Sequence, residues 1–197
     1  MMEGKYRNEG THLKFIKDNS HRIFRVLINQ IGLMIFSLVV TTTAISMGEG
    51  YREPMTLVAS IFSVLFYLFL VFYCMREEGT RDSVKIEGGR LSYDRFHGLK
   101  IGLLAAVPNF IFVFLMALGL LIGEGGLGLF SAGYLITTLV QAMYSGLLKA
   151  IFGWLSLTES LVAAVVAYAI TPLFAPLAAW GGYAFGVRKP IVNNKKD

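Results

Sequence analysis

This sequence predicts an all-α integral membrane protein: a four-span transmembrane helical bundle with an amphipathic interfacial or re-entrant helix and a small β-hairpin in one loop. Three observations carry that expectation. Residues 26–46, 55–75, 101–122 and 161–183 contain no Asp, Glu, Lys, Arg or His, and each reaches the roughly 20 residues that an α-helix needs to cross a hydrocarbon core of about 30 Å. Hydrophobic residues make up 55% of the 197 and mean hydropathy is +0.59, more apolar than an average soluble domain. Of the 18 Lys and Arg residues, all but Arg52 and Lys149 fall into three clusters: before the first stretch, between the second and third, and after the last. Four spans with a cytoplasmic N-terminus put all three clusters inside, as the positive-inside rule requires.

The elements follow in order. The leader, residues 1–25, is polar and basic, with Lys5, Arg7, Lys14, Lys17, Arg22 and Arg25. It is too long a lead for an ordinary secretory signal. Ala44 and Ser46 leave cleavage conceivable, but the first stretch is expected to stay as an anchor. Phe15, Ile16, Ile23 and Phe24 among the leader's charges suit contact with anionic lipid headgroups. Glu49, Gly50 and Pro54 mark a short external turn before the second span. In the loop 76–98, Val84-Lys85-Ile86-Glu87 and Arg90-Leu91-Ser92-Tyr93 flank Gly88-Gly89 and read as the β-hairpin. After the third span, residues 127–148 are long and apolar enough to count as a fifth. Five spans would carry the basic C-terminal tail, residues 188–197, outside, so the charge distribution favours four. Tyr134, Thr137, Thr138, Gln141, Tyr144, Ser145 and Lys149 recur at three- and four-residue steps, with Leu135, Leu139, Val140, Met143 and Leu147 opposite. That pattern predicts one amphipathic helix over about 130–150, at the outer interface or entering partway.

Helices in lipid associate through small and polar residues. Such faces are present in each span: Gln30, Ser37 and Thr41; Thr56, Ser60, Ser63, Tyr67 and Cys74; Gly98, Gly102, Ala105 and Asn109; and Ala164, Ala167, Thr171, Ala175, Gly182 and Gly186. Phe62, Phe66, Phe69 and Phe72 are left mainly for lipid. The pairs Gly98–Gly102, Gly119–Gly123 and Gly182–Gly186 match the small-xxx-small spacing; packing within the chain is the preferred reading over a dimer face. Tyr51 and Trp154 suit the outer interface, and Tyr73, Trp180 and Tyr183 the inner one.

Candidate chemistry is sparse. Pro108-Asn109 and Thr171-Pro172 with Pro176 interrupt otherwise regular spans, because proline removes a donor and displaces the carbonyl one turn earlier. One reading is a broken-helix site at which Asn109 and the freed carbonyls of Tyr168 and Pro172 hold a solute. The preferred reading is a structural kink resatisfied by neighbouring polar side chains. Asn29, Gln30, Asn109 and Gln141 would line a shared polar cavity or simply bond one another across helices. The intramembrane candidates are therefore Gln30, Pro108, Asn109, Gln141, Pro172 and Pro176. His12, His21 and His97 are scattered in the polar segments, Cys74 reads as an inert packing thiol, and no catalytic motif is present. Glu77, Glu78, Asp82 and Asp94, nearly balanced by base, read as a solvated ion-pair surface. A metal-assisted lipid-modifying enzyme built on those carboxylates is the weakest reading. No cofactor and no nucleic acid are implied, since Lys and Arg placement here reports threading. The functional expectation is a non-enzymatic cell-membrane protein, an accessory or interaction subunit with a protein partner or a second copy of itself. A small transporter or channel component for a neutral solute is the alternative, because no ionisable relay lies in the spans.

Overall fold

The computed structural model describes residues 3–152 and 161–193. Among them every regular element is helical: α1 (Glu3–Ser46), α2 (Glu49–Glu87), α3 (His97–Ile122), α4 (Leu127–Val140), α5 (Ser145–Phe152), α6 (Leu161–Ile170) and α7 (Phe174–Asn193). Short 3-10 turns at Gly123–Gly126, Ala142–Tyr144 and Thr171–Leu173 join α3 to α4, α4 to α5 and α6 to α7. Four helical runs among these residues, in α1, in α2, in α3 with α4 and in α6 with α7, are long and apolar enough to cross a membrane. Trp154 and the basic residues Lys195 and Lys196 lie outside the described residues.

The helices outgrow their apolar stretches. With 44 residues, α1 is about 66 Å long at roughly 1.5 Å per residue, twice a hydrocarbon core of about 30 Å. It therefore carries the basic leader as a continuous helix, antiparallel to α2, whose 39 residues overrun the second apolar stretch at the same end. That end, with Arg22, Arg81 and Lys100, is the basic end of the bundle.

The expected β-hairpin is corrected by this extension. Val84 to Glu87 form the last turn of α2, and no strand occurs among the described residues. The Gly88 N–H bonds to the Val84 carbonyl at 3.1 Å, the Gly89 N–H to Ile86 at 3.0 Å and the Arg90 N–H to Lys85 at 2.9 Å. Gly89 has φ +68°, the left-handed conformation with which helices commonly end. Extending a helix adds one hydrogen bond per residue without a new nucleus, whereas an isolated two-stranded hairpin is marginal.

The single amphipathic helix expected over about 130–150, interfacial or re-entrant, is also corrected: the chain breaks at Gln141 into α4 and α5. At Gly123, with φ +75°, the chain reverses, and α4 runs back along α3. Gly126 and Gly119 abut there, and Gly133 lies against Met116, where side chains would collide with backbone. At 14 residues, α4 is about 21 Å long, too short for a fifth span. α5 then runs antiparallel to α2, from Ser60 beside Met143 to Glu53 beside Lys149, 3.4 Å apart. Ser60 explains how the break is tolerated. Its hydroxyl donates to the Met143 carbonyl at 2.8 Å and accepts the Gly146 N–H at 2.8 Å, replacing bonds that a continuous helix would make.

The small-residue pairs serve packing inside the chain. Gly182 and Gly186 seat α7 on the backbone of α2 at Phe72 and Arg76, while Gly98 and Gly102 seat α3 on α7 at Ala179 and Pro176. Large apolar side chains such as Phe62, Leu65 and Phe69 cover the outside, the arrangement suited to lipid contact.

Candidate functional site

Two polar constellations occupy the bundle at different levels. The first, near mid-length, collects the residues expected from the sequence. Gln30 and Asn109 are buried, and Gln30 Nε2 donates to Asn109 Oδ1 at 2.8 Å. Gln141 accepts the Thr171 hydroxyl hydrogen bond through Oε1, and its Nε2 donates to the Tyr168 carbonyl at 3.4 Å. That carbonyl is the one freed by Pro172, and it also accepts from Thr171 Oγ1 at 3.2 Å. The break in α6–α7 is thus resatisfied locally. Pro108 leaves α3 continuous, Pro176 is buried against Gly102, and Asn29 is half-buried away from these pairs.

Between the pairs lies a cavity of about 10 Å³, lined by Gln30, Tyr67, Asn109, Gln141, Tyr144 and Pro172 among others. That is the volume of about one water. The hydroxyl of Tyr144 is buried without a protein partner. The arrangement can hold helices in register; it is too small for a solute.

The second constellation lies at the basic end, where the sequence reading placed a solvated surface. Asp82 is 1% exposed. Arg22 grips it with two bonds of 2.7 Å, Nη1 to Oδ2 and Nη2 to Oδ1. Lys85 Nζ stands 3.0 Å from Oδ1, and the Tyr183 hydroxyl donates to Oδ2 at 3.2 Å. Arg22 Nε also reaches Glu78 at 3.1 Å, and Glu78 accepts more distant bonds of 3.4 Å from Arg25 and Arg81. Three helices, α1, α2 and α7, therefore meet on two carboxylates.

His97, the first residue of α3, completes the cluster. Its Nε2 lies 2.9 Å from Arg22 Nη1 and 3.1 Å from Asn19 Oδ1. A guanidinium N–H can only donate and an amide oxygen can only accept, so Nε2 bonds Arg22 when the proton is on Nδ1 and Asn19 when it is on Nε2. Phe15 packs edge-on against the ring at 5.4 Å and Tyr183 at 5.0 Å between centroids.

Beside the cluster opens a cleft of about 360 Å³, lined by Phe15, Asn19, Arg22, Asp82, Lys85 and His97 together with Asp18, Leu91, Ser92 and Asp94. Burial pushes the Asp94 carboxyl up, but Lys100 Nζ at 2.7 Å and the Phe96 N–H at 2.9 Å outweigh it and hold its pKa below the ordinary value. Among the described residues no group of three or more His, Cys, Asp or Glu is arranged to hold a metal ion.

A helical signal for this cluster was present in the sequence. Glu78 and Asp82 continue, at four-residue steps, the buried face that runs through Tyr67, Val71 and Cys74. Ending the helix at Met75 hid them. Compared with family models, curated proteins and solved structures, the chain matches none.

Proposed function

We propose that this chain is a non-enzymatic integral membrane protein whose working surface is its basic end, where it serves as an accessory or interaction subunit. Both termini and residues 88–96 face the cytoplasm in this reading, with Glu49 and Glu124 outside, because that orientation keeps the basic clusters inside. The leader projects from that end as the continuation of α1, its basic residues above the anionic headgroups, and the partner is a second protein or another copy of this chain. The observation that carries the reading is the buried Arg22–Asp82–Glu78 cluster beside an open cleft of about 360 Å³ at the basic end. Mid-length holds only about 10 Å³, and the cleft of about 460 Å³ at the opposite end carries, among the described residues, a single exposed ion pair, Glu53 with Lys149. A photocrosslinker placed at Ser92, in native membranes, tests it. The expected result is a discrete protein adduct from Ser92 and only lipid adducts from Val39 on the apolar surface; lipid adducts alone from both positions would refute it.

A transporter or channel component for a neutral solute remains the second reading, and one observation favours it. Two interrupted helices, at Gln141 and at Thr171, meet at the same level, as broken-helix binding sites do. Against it, their polar groups are spent on one another.

A further inference from the structure

A lipid-facing groove on α2 has a chemistry that none of the foregoing uses. Phe62, Phe66, Phe69 and Tyr73 recur at three- and four-residue steps and form one exposed stripe. Phe62 stacks with Phe66, and Phe69 with Tyr73. From Phe62 to Tyr73 the stripe is about 16 Å long at roughly 1.5 Å per residue, close to half a hydrocarbon core of about 30 Å. It ends in a groove of about 260 Å³ lined by Tyr73, Arg76, Glu77, Thr80 and Arg81.

The charges in that groove are unevenly matched. Glu77 is bonded by Arg25 at 2.9 Å and by Arg81 at 2.8 Å. Arg76, the first ionisable residue after the apolar stretch 55–75, has a different partner: its Cζ lies 5.3 Å from the centroid of the Phe185 ring. A ring face holds a guanidinium in place while leaving edge N–H groups for an acceptor. Bidentate phosphate recognition is what that planar fork suits.

We propose that this groove seats the phosphate of an anionic phospholipid from the leaflet at the basic end, with one acyl chain along the aromatic stripe. Arg76 is the donor; Arg81, bonded to Glu77 and Glu78, adds positive charge beside it, and the Thr80 hydroxyl donates to the Arg76 carbonyl at 3.0 Å. The inference rests on the transmembrane reading, and the test separates the two. The purified chain is incorporated into nanodiscs of phosphatidylcholine, alone or mixed with phosphatidylglycerol of the same acyl composition. Lipid retained on extraction is then counted by native mass spectrometry. A chain that does not enter phosphatidylcholine nanodiscs fails the transmembrane reading and this inference with it.

Given incorporation, the expected result is preferential retention of phosphatidylglycerol. It should fall about tenfold in Arg76→Gln, the loss of one charge-assisted contact, and stay unchanged in Arg90→Gln, which alters the exposed loop. Equal retention of both lipids, or an equal loss in Arg90→Gln, would overturn the proposal. So would displacement of phosphatidylglycerol by inorganic phosphate, which would make the groove a site for the free ion. An unchanged melting temperature of Arg76→Gln in phosphatidylcholine alone is expected; if it drops and phosphatidylglycerol retention does not, Arg76 is a packing residue and the proposal fails.

Discussion

The mid-length network and the basic-end cluster are both built from side chains far apart in sequence, yet they resolve opposite problems. At mid-length only neutral amides and hydroxyls are present, and they close on each other around about 10 Å³. At the basic end two carboxylates and several cations pack among helix extensions and leave an open cleft of about 360 Å³. The difference follows from solvent. Where water is excluded an unpaired polar group is costly, so Gln30 bonds Asn109 and Gln141 bonds Thr171, and the space collapses with the Tyr144 hydroxyl left unbonded. At the basic end water can reach part of a charge cluster, and ionic bonds can coexist with an accessible surface.

The comparison is sharpest where breaking it costs most. Asp82→Leu strands Arg22 with Glu78 as its remaining carboxylate, and removing one partner of a buried pair costs about 3–5 kcal/mol. Unfolding of the purified chain in mild detergent should register that loss, and the double variant Arg22→Met with Asp82→Leu should recover part of it. A cost of about 1 kcal/mol or less would place the cluster among ordinary surface pairs and erase the distinction.

At mid-length the effects are smaller and of another kind. Ser60→Ala leaves the Met143 carbonyl and the Gly146 N–H buried without their shared partner, for about 1–3 kcal/mol. The same unfolding assay checks it, and an unchanged midpoint would mean that the break between α4 and α5 needs no side-chain support. Asn109→Ala removes one interhelical hydrogen bond and should cost about 1 kcal/mol or less. Smallest of all, Tyr144→Phe should leave stability unchanged, since its hydroxyl has no protein partner. A loss as large as that of Asn109→Ala would mean that a bound water ties the Tyr144 hydroxyl into the network.

Apolar run length made the spans legible in the sequence, and the polar residues inside them were legible because so few exist. Gln30, Asn109 and Gln141 could be named without a structure, and so could the inward faces through Ser60, Tyr67, Gly182 and Gly186. Pairing was not legible, because Arg22, Asp82, His97 and Tyr183 come from four different helices. Element ends were obscured as well. Val84-Lys85-Ile86-Glu87 alternates like a strand but continues a helix already paid for by the span, and the stripe from Tyr134 to Lys149 kept its period while the backbone broke at Gln141. A hydroxyl from another helix, Ser60, stabilises that break, and no local pattern encodes it.

Solute flux bears most directly on the central claim, that the membrane interior is closed and the function lies at the basic end. Proteoliposomes containing the chain should release neutral solutes such as glycerol or urea no faster than empty vesicles, and a folded Asn109→Ala variant should behave identically. Flux through the unaltered chain that disappears in that variant would contradict the account, because a residue that only packs helices has no reason to control passage.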